Sequence, residues 1–120
     1  MTVGKVIIFY RTADGKCPAQ AFLDSLSAKV TQKVAWVLNL VEDLDVVPAT
    51  YFKKLVNTEE IWECRIQFGS IAYRIFCFFD GNSVVVLTHG SIKRAQKTPQ
   101  REIERAEAYR RDYLQRRAKR

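Results

Sequence analysis

The stretch "IWECRIQFGSIAYRIFCFFDGNSVVVLTHG", residues 61–90, decides the fold. It holds three runs rich in β-branched and aromatic residues, "IWECRIQF", "IAYRIFCFF" and "SVVVLTH", separated only by "GS" and "DGN". Connections this short force neighbouring strands to be antiparallel. With Gly69-Ser70 and Gly81-Asn82 each read as a two-residue hairpin turn, Arg65 faces Arg74 and Arg74 faces His89 across three strands. Alternation then puts Trp62, Cys64, Ile66, Phe68, Ile71, Tyr73, Ile75, Cys77, Phe79, Val84 and Val86 on one apolar face, where the helices are expected to pack. Glu63, Arg65, Gln67, Arg74, Phe76 and His89 share the other. Like charges facing each other across strands repel, so the two arginines need neutralising. Glu63 supplies that internally on one reading. On the other, the row awaits a phosphate, which arginine grips through its planar fork of donors. A three-residue turn at "DGN" would instead move His89 to the apolar face.

Outward from this meander, "VGKVIIFY" reads as a first strand and "PAQAFLDSL" as a short helix with Pro18 in its first turn. A longer helix follows, capped by Ser27, with Val30, Val34, Val37, Val41 and Leu44 recurring at helical spacing and Leu38 beside them. "YFKKLVNTEE" reads as a loop or a short strand. A last amphipathic helix is expected from Thr98-Pro99, a cap and a first-turn proline, through "EIERAEAYRRDYL", with residues 114–120 as a flexible basic tail. The predicted architecture is a single α+β domain over residues 1–120: an N-terminal strand and two helices, an antiparallel meander, and a C-terminal basic helix.

Charge is informative once located. Met1 to Gly90 carry nine Lys and Arg against nine Asp and Glu, so the last thirty residues hold the whole formal charge of +7. Positive charge clustered in this way attracts phosphates at long range and releases their counterions on contact, the footprint of a polyanion partner; a solvated basic tail is the plainer reading of "LQRRAKR". Cys17, Cys64 and Cys77 are odd in number and show no short-spaced pair with a histidine, so they read as reduced core residues without a disulfide framework or a zinc site. No apolar run is long enough to span a membrane and the N-terminus lacks the pattern of a secretory signal, so the expectation is a soluble, cytoplasmic protein.

There is no phosphate-binding glycine loop, no dinucleotide signature and no Gly-flanked nucleophilic serine. No carboxylate cluster suggests a metal, which disfavours a two-metal nuclease, and no cofactor is expected. A lone histidine ending an apolar strand is most simply a structural residue. Beside two guanidinium groups and just ahead of Lys93, Arg94 and Lys97, it also reads as a proton-transfer group for phosphodiester cleavage, kept neutral by the adjacent cations.

The runs "IWECRI", "YRIFCFF" and "VVVLTHGSIKRAQKTPQREIERAEAYRRDY" closely resemble the RelE/HigB superfamily of toxins from type II toxin–antitoxin modules. More narrowly they resemble its phage-derived HigB-like branch, with a tryptophan–acid–x–arginine strand, a tyrosine–arginine strand, and a histidine–glycine strand end followed by "QKTP". The resemblance covers roughly Ile61 to Tyr113. It implies a RelE-like fold and a metal-independent, ribosome-dependent mRNA endoribonuclease held inactive by a cognate antitoxin, a small helix-turn-helix protein. Carried over by position, Arg65 and Arg74 contact the scissile phosphate, Lys93 and Arg94 match the basic pair after the last strand, Lys97 matches the lysine of "QKTP", and His89 matches the branch's histidine; His89, or failing it Lys97 or Lys93, would move protons, and Lys93, Arg94, Arg101 and Arg105 are the expected RNA-binding residues. Ser91 stands where the branch usually has an aromatic, Cys64 where leucine is common, and "NTEE" where glycine often precedes the tryptophan. A non-catalytic nucleic-acid-binding protein and a ParE-like gyrase inhibitor on the same scaffold are the alternatives.

Overall fold

The computed structural model describes residues 4–94 and 97–119. Strand β1 (Val6–Phe9) leads to helix α1 (Pro18–Asp24), which starts on its proline. Helix α2 (Ala28–Asp43) follows, and Ser27 caps it by accepting the Val30 amide at 3.3 Å. The ambiguous segment after Pro48 forms a three-residue strand, β2 (Phe52–Lys54). The meander is β3 (Trp62–Phe68), β4 (Ile71–Asp80) and β5 (Val84–Lys93), and helix α3 (Gln100–Ala118) closes the described chain. These strands make one mixed sheet in the order β1-β5-β4-β3-β2, with β1 parallel to β5 and the other neighbours antiparallel. No helix among the described residues is long and apolar enough to cross a membrane.

The first hairpin has the expected register, Arg65 opposite Arg74 and Phe68 opposite Ile71 around Gly69-Ser70. The second differs. Asp80 pairs with Val84, so the turn holds three residues, Gly81 to Ser83, with Gly81 at a φ of 72° that glycine adopts without strain. Val85 and Leu87, not Val84 and Val86, therefore join the apolar face under α2, whose Val30, Val34, Val37 and Val41 are buried against Cys64, Ile66, Ile75 and Cys77. Pairing then shifts between Cys77–Leu87 and Ile75–Gly90, where Thr88 and His89 together oppose the single residue Phe76. This β-bulge inserts one extra residue and re-phases the strand, so His89 returns to the face of Phe76 despite the longer turn. Arg74 consequently lies opposite Ser91 rather than His89.

The helices do not share one face. Helix α3 packs Ala106, Tyr109 and Tyr113 against Phe76, Phe78 and Val86 on the side opposite α2. It is pinned by Tyr10 donating to Asp112 at 2.5 Å, Tyr113 to Asp80 at 2.8 Å, and ion pairs from Arg111 to Glu59 and Arg117 to Asp80. Where a flexible tail was expected from residue 114, the helix continues to Ala118. Leu44, placed by spacing in the α2 stripe, lies past the helix end and is exposed.

Candidate nucleic-acid interface

Alternation along β3 puts Glu63 and Arg65 on one face, and the first hairpin sets Arg74 beside them. The Glu63 carboxylate is 1% exposed and receives both cations: Arg65 Nε at 2.8 Å on one oxygen and Arg74 Nε at 3.5 Å on the other. Two arginines awaiting an external counterion are therefore not what the fold presents. Glu63 compensates both, as removal of guanidinium groups from water requires. Thr98, expected to cap α3, turns inward instead; its hydroxyl accepts from Arg74 Nη1 at 2.8 Å and donates to Glu63 at 3.2 Å. The two arginines differ in access. Arg74 is 2% exposed, whereas about a third of the Arg65 side chain (35%) meets solvent, steadied by an Nη1 bond to the Ala49 carbonyl at 3.3 Å.

Around this carboxylate lies a cleft of about 600 Å³, lined by Lys33 of α2, Thr50 and Tyr51 ahead of β2, Glu63, Arg65 and Gln67 of β3, Tyr73 and Arg74 of β4, and Lys93 of β5. A second depression of about 450 Å³ shares Arg74 and Lys93 and adds Ser91, Arg94, Arg101 and Glu102. Five elements thus deliver cations to one concave surface with a single carboxylate at the base of the larger cleft. The arrangement can hold an anionic backbone by its charges and, through Lys93 and the Arg65 fork, place donors around one phosphate.

His89 is not among the residues lining either cavity. It is 1% exposed, stacked on Phe76 at 4.8 Å and in contact with Tyr109 of α3 at 5.7 Å. The Thr88 hydroxyl lies 3.1 Å from the Phe76 carbonyl, to which it donates, and 3.2 Å from His89 Nδ1. Nε2 has no hydrogen-bond partner among the described residues and lies 3.5 Å from a Glu102 carboxylate oxygen. Burial, and secondarily the Arg105 charge, push the imidazole pKa down to about 3. The neutral state expected from sequence is the one the surroundings impose, with burial rather than neighbouring cations as the main cause.

Of the residues singled out by sequence, the fold brings Arg65, Arg74 and Lys93 to one cleft, with Arg94 and Arg101 on its neighbour. Lys97 is exposed and lines neither cavity, and Arg105 turns to the Tyr109 hydroxyl at 3.0 Å beside a different depression with Lys16 and Cys17. Sequence reasoning missed Lys33, Tyr51 and Thr98. Lys33 sits one residue before the buried Val34, and nothing local distinguishes it from a solvated helix lysine. Among the described residues no three His, Cys, Asp or Glu side chains group as metal ligands.

The comparison with protein families matches residues 21–111, three quarters of the chain, to the family described as phage derived protein Gp49-like (DUF891). The match spans α2, the meander and much of α3, the elements that build the cleft. No curated protein matches the chain.

Proposed function

We propose, from the premise that this chain belongs to the phage-derived Gp49-like protein family, set in the context of the RelE/HigB-like toxins, that it is a toxin cleaving messenger RNA on the ribosome. The observation that carries the reading is the convergence of Lys33, Arg65, Arg74 and Lys93 on one cleft large enough for a nucleotide. RNA brings its own nucleophile, so such an enzyme needs no metal. The 2′-oxygen attacks phosphorus, the bond to the 5′-oxygen breaks, the 2′-proton passes to a base, and the departing 5′-oxygen takes up a proton. The products are a 2′,3′-cyclic phosphate and a 5′-hydroxyl.

In this scheme Arg65, the more accessible guanidinium, holds the non-bridging oxygens as charge builds on them, and Arg74 supports it from below. Glu63 orients both through their Nε atoms. Lys93, bordering both cavities, is the proton-transfer candidate; Lys97, exposed and lining neither cavity, is set aside, and His89, enclosed beneath α3, serves packing. Arg94 and Arg101 extend the basic surface toward ribosomal RNA. A cognate antitoxin, a small helix-turn-helix protein, would silence the toxin by covering the cleft.

Cleavage is tested by mapping 5′-hydroxyl ends on ribosome-bound message. Arg65→Ala and Lys93→Ala should each lower the rate on the order of a hundredfold, because positioned charge and proton transfer commonly contribute that much. Arg74→Ala is a poor probe, since Arg74 is buried and its loss opens a cavity and leaves Glu63 with Arg65 as its one cation among those described; Arg74→Lys keeps a cation there. Wild-type rates in both Arg65→Ala and Lys93→Ala would end the nuclease reading. The internal pairing of both arginines with Glu63 favours the second reading, a non-catalytic RNA binder, for which RNA binding without new 5′ ends is the signature. DNA damage without either would indicate a gyrase inhibitor.

A further inference from the structure

The cleft holds an aromatic wall that phosphate chemistry does not use. Tyr51 lines it beside Arg65, and the two are mechanically joined: the Arg65 amide donates to the Tyr51 carbonyl at 2.8 Å, and Arg65 Nη1 reaches Ala49 two residues earlier. Behind Tyr51 stands Trp36 of α2, edge to face at 5.3 Å and 82°, itself 45% exposed. Lys33, which also lines the cleft, lies 4.7 Å from the Trp36 ring centre. Lys33, Tyr51 and Arg65 therefore line the cleft, with the Trp36 indole outside its lining and touching both Lys33 and Tyr51. Trp36 is costly to leave in water and lies outside the core cluster, yet its ring is set edge to face against that of Tyr51, a residue lining the cleft. The volume, about 600 Å³, lies within the range of about 300–1,000 Å³ typical of sites that enclose a whole small ligand rather than an anion alone.

We propose that Tyr51, braced by Trp36, is a stacking platform for one nucleobase of single-stranded RNA, next to the phosphate held by Arg65. Aromatic stacking of this kind tolerates sequence while fixing the strand's position, which would set where the scissile linkage falls relative to the arginine. This rests on the RNA reading above and adds to it a base subsite.

The test uses the full chain and a short RNA made uncleavable by 2′-O-methylation, with a single 2-aminopurine moved along the sequence, both free and as the message on ribosomes. Stacking quenches 2-aminopurine. Wild type should quench it strongly at one position; Tyr51→Phe should preserve this, while Tyr51→Ala and Tyr51→Leu, the latter keeping apolar bulk, should abolish it. Anisotropy of an end label should show about tenfold weaker binding by Tyr51→Ala, within the effect of losing one stack. That penalty should vanish when the quenched position is made abasic. Binding without position-specific quenching, quenching that survives Tyr51→Leu, or an equal penalty on abasic RNA overturns the platform and leaves the RNA reading standing. Absence of wild-type binding both to free RNA and to programmed ribosomes overturns both.

Discussion

The His89 imidazole lies against Thr88 through Nδ1, with its ring stacked on Phe76 and edge-on to Tyr109, so it acts through packing and through the pH dependence of folding. Its pKa in the fold is about 3, against 6.5 in an open chain. Above pH 6.5 both states are neutral and the group is silent. As pH falls below 6.5 the unfolded chain takes up a proton that the folded chain refuses, so stability drops by about 1.4 kcal/mol per pH unit until about pH 3, where the fold also protonates. Thermal melts across that window should therefore show the melting temperature of wild type falling relative to that of His89→Phe as pH drops, the variant lacking this component. Parallel curves would mean that the imidazole titrates normally. A ribonuclease rate profile should correspondingly show no limb assignable to His89.

Among the elements, β5 carries the most dependent geometry. Phe22 of α1 lies on the strand at Gly90, where an added Cβ would stand 2.2 Å from the ring. Gly90→Ala must displace α1 or the strand, and overpacking of this kind costs about 1–3 kcal/mol. Because Gly90 adjoins the bulge and lines the depression with Lys93, the proposed RNA binding should weaken along with a fall in melting temperature; an unchanged melting temperature would show that α1 yields freely. The same strand marks where sequence stops being legible. Helix α2, its serine cap and the Arg65–Arg74 register followed from patterns internal to one or two short segments. The bulge did not, because Thr88 and His89 sharing one partner is a property of the assembled β4–β5 pair. Nor did the second helical layer: Phe76 and Phe78 in β4 and Val86 in β5 are apolar on the face opposite α2, and the alternation that assigned one face to the helices had no way to recruit α3 to the other. The inward turn of Thr98 is of the same kind, since a threonine before proline looks like a helix cap until a buried arginine and glutamate compete for its hydroxyl.

At the scale of the molecule, the linear charge distribution and the spatial one disagree. The C-terminal thirty residues carry the formal excess, yet three of the α3 arginines are engaged inside the chain: Arg111 with Glu59, Arg116 with Asp112 and the Arg11 carbonyl, Arg117 with Asp80. The cleft takes cations from the balanced part of the sequence, Lys33, Arg65 and Arg74, and adds only Lys93 from the basic quarter. A polyanion drawn to this protein should therefore be counted by the cleft rather than by the helix. For single-stranded RNA the logarithm of affinity falls with the logarithm of salt concentration, with a slope of about 0.7 per neutralised phosphate. Lys33→Ala and Lys93→Ala should each flatten that slope by about 0.7, whereas Arg111→Ala and Arg117→Ala should leave it unchanged and barely move the melting temperature, as expected of solvent-exposed ion pairs. The opposite pattern, a slope sensitive to Arg111 and Arg117 but indifferent to the two lysines, would move the path of the RNA from the sheet to the outer face of α3 and detach it from the arginine pair.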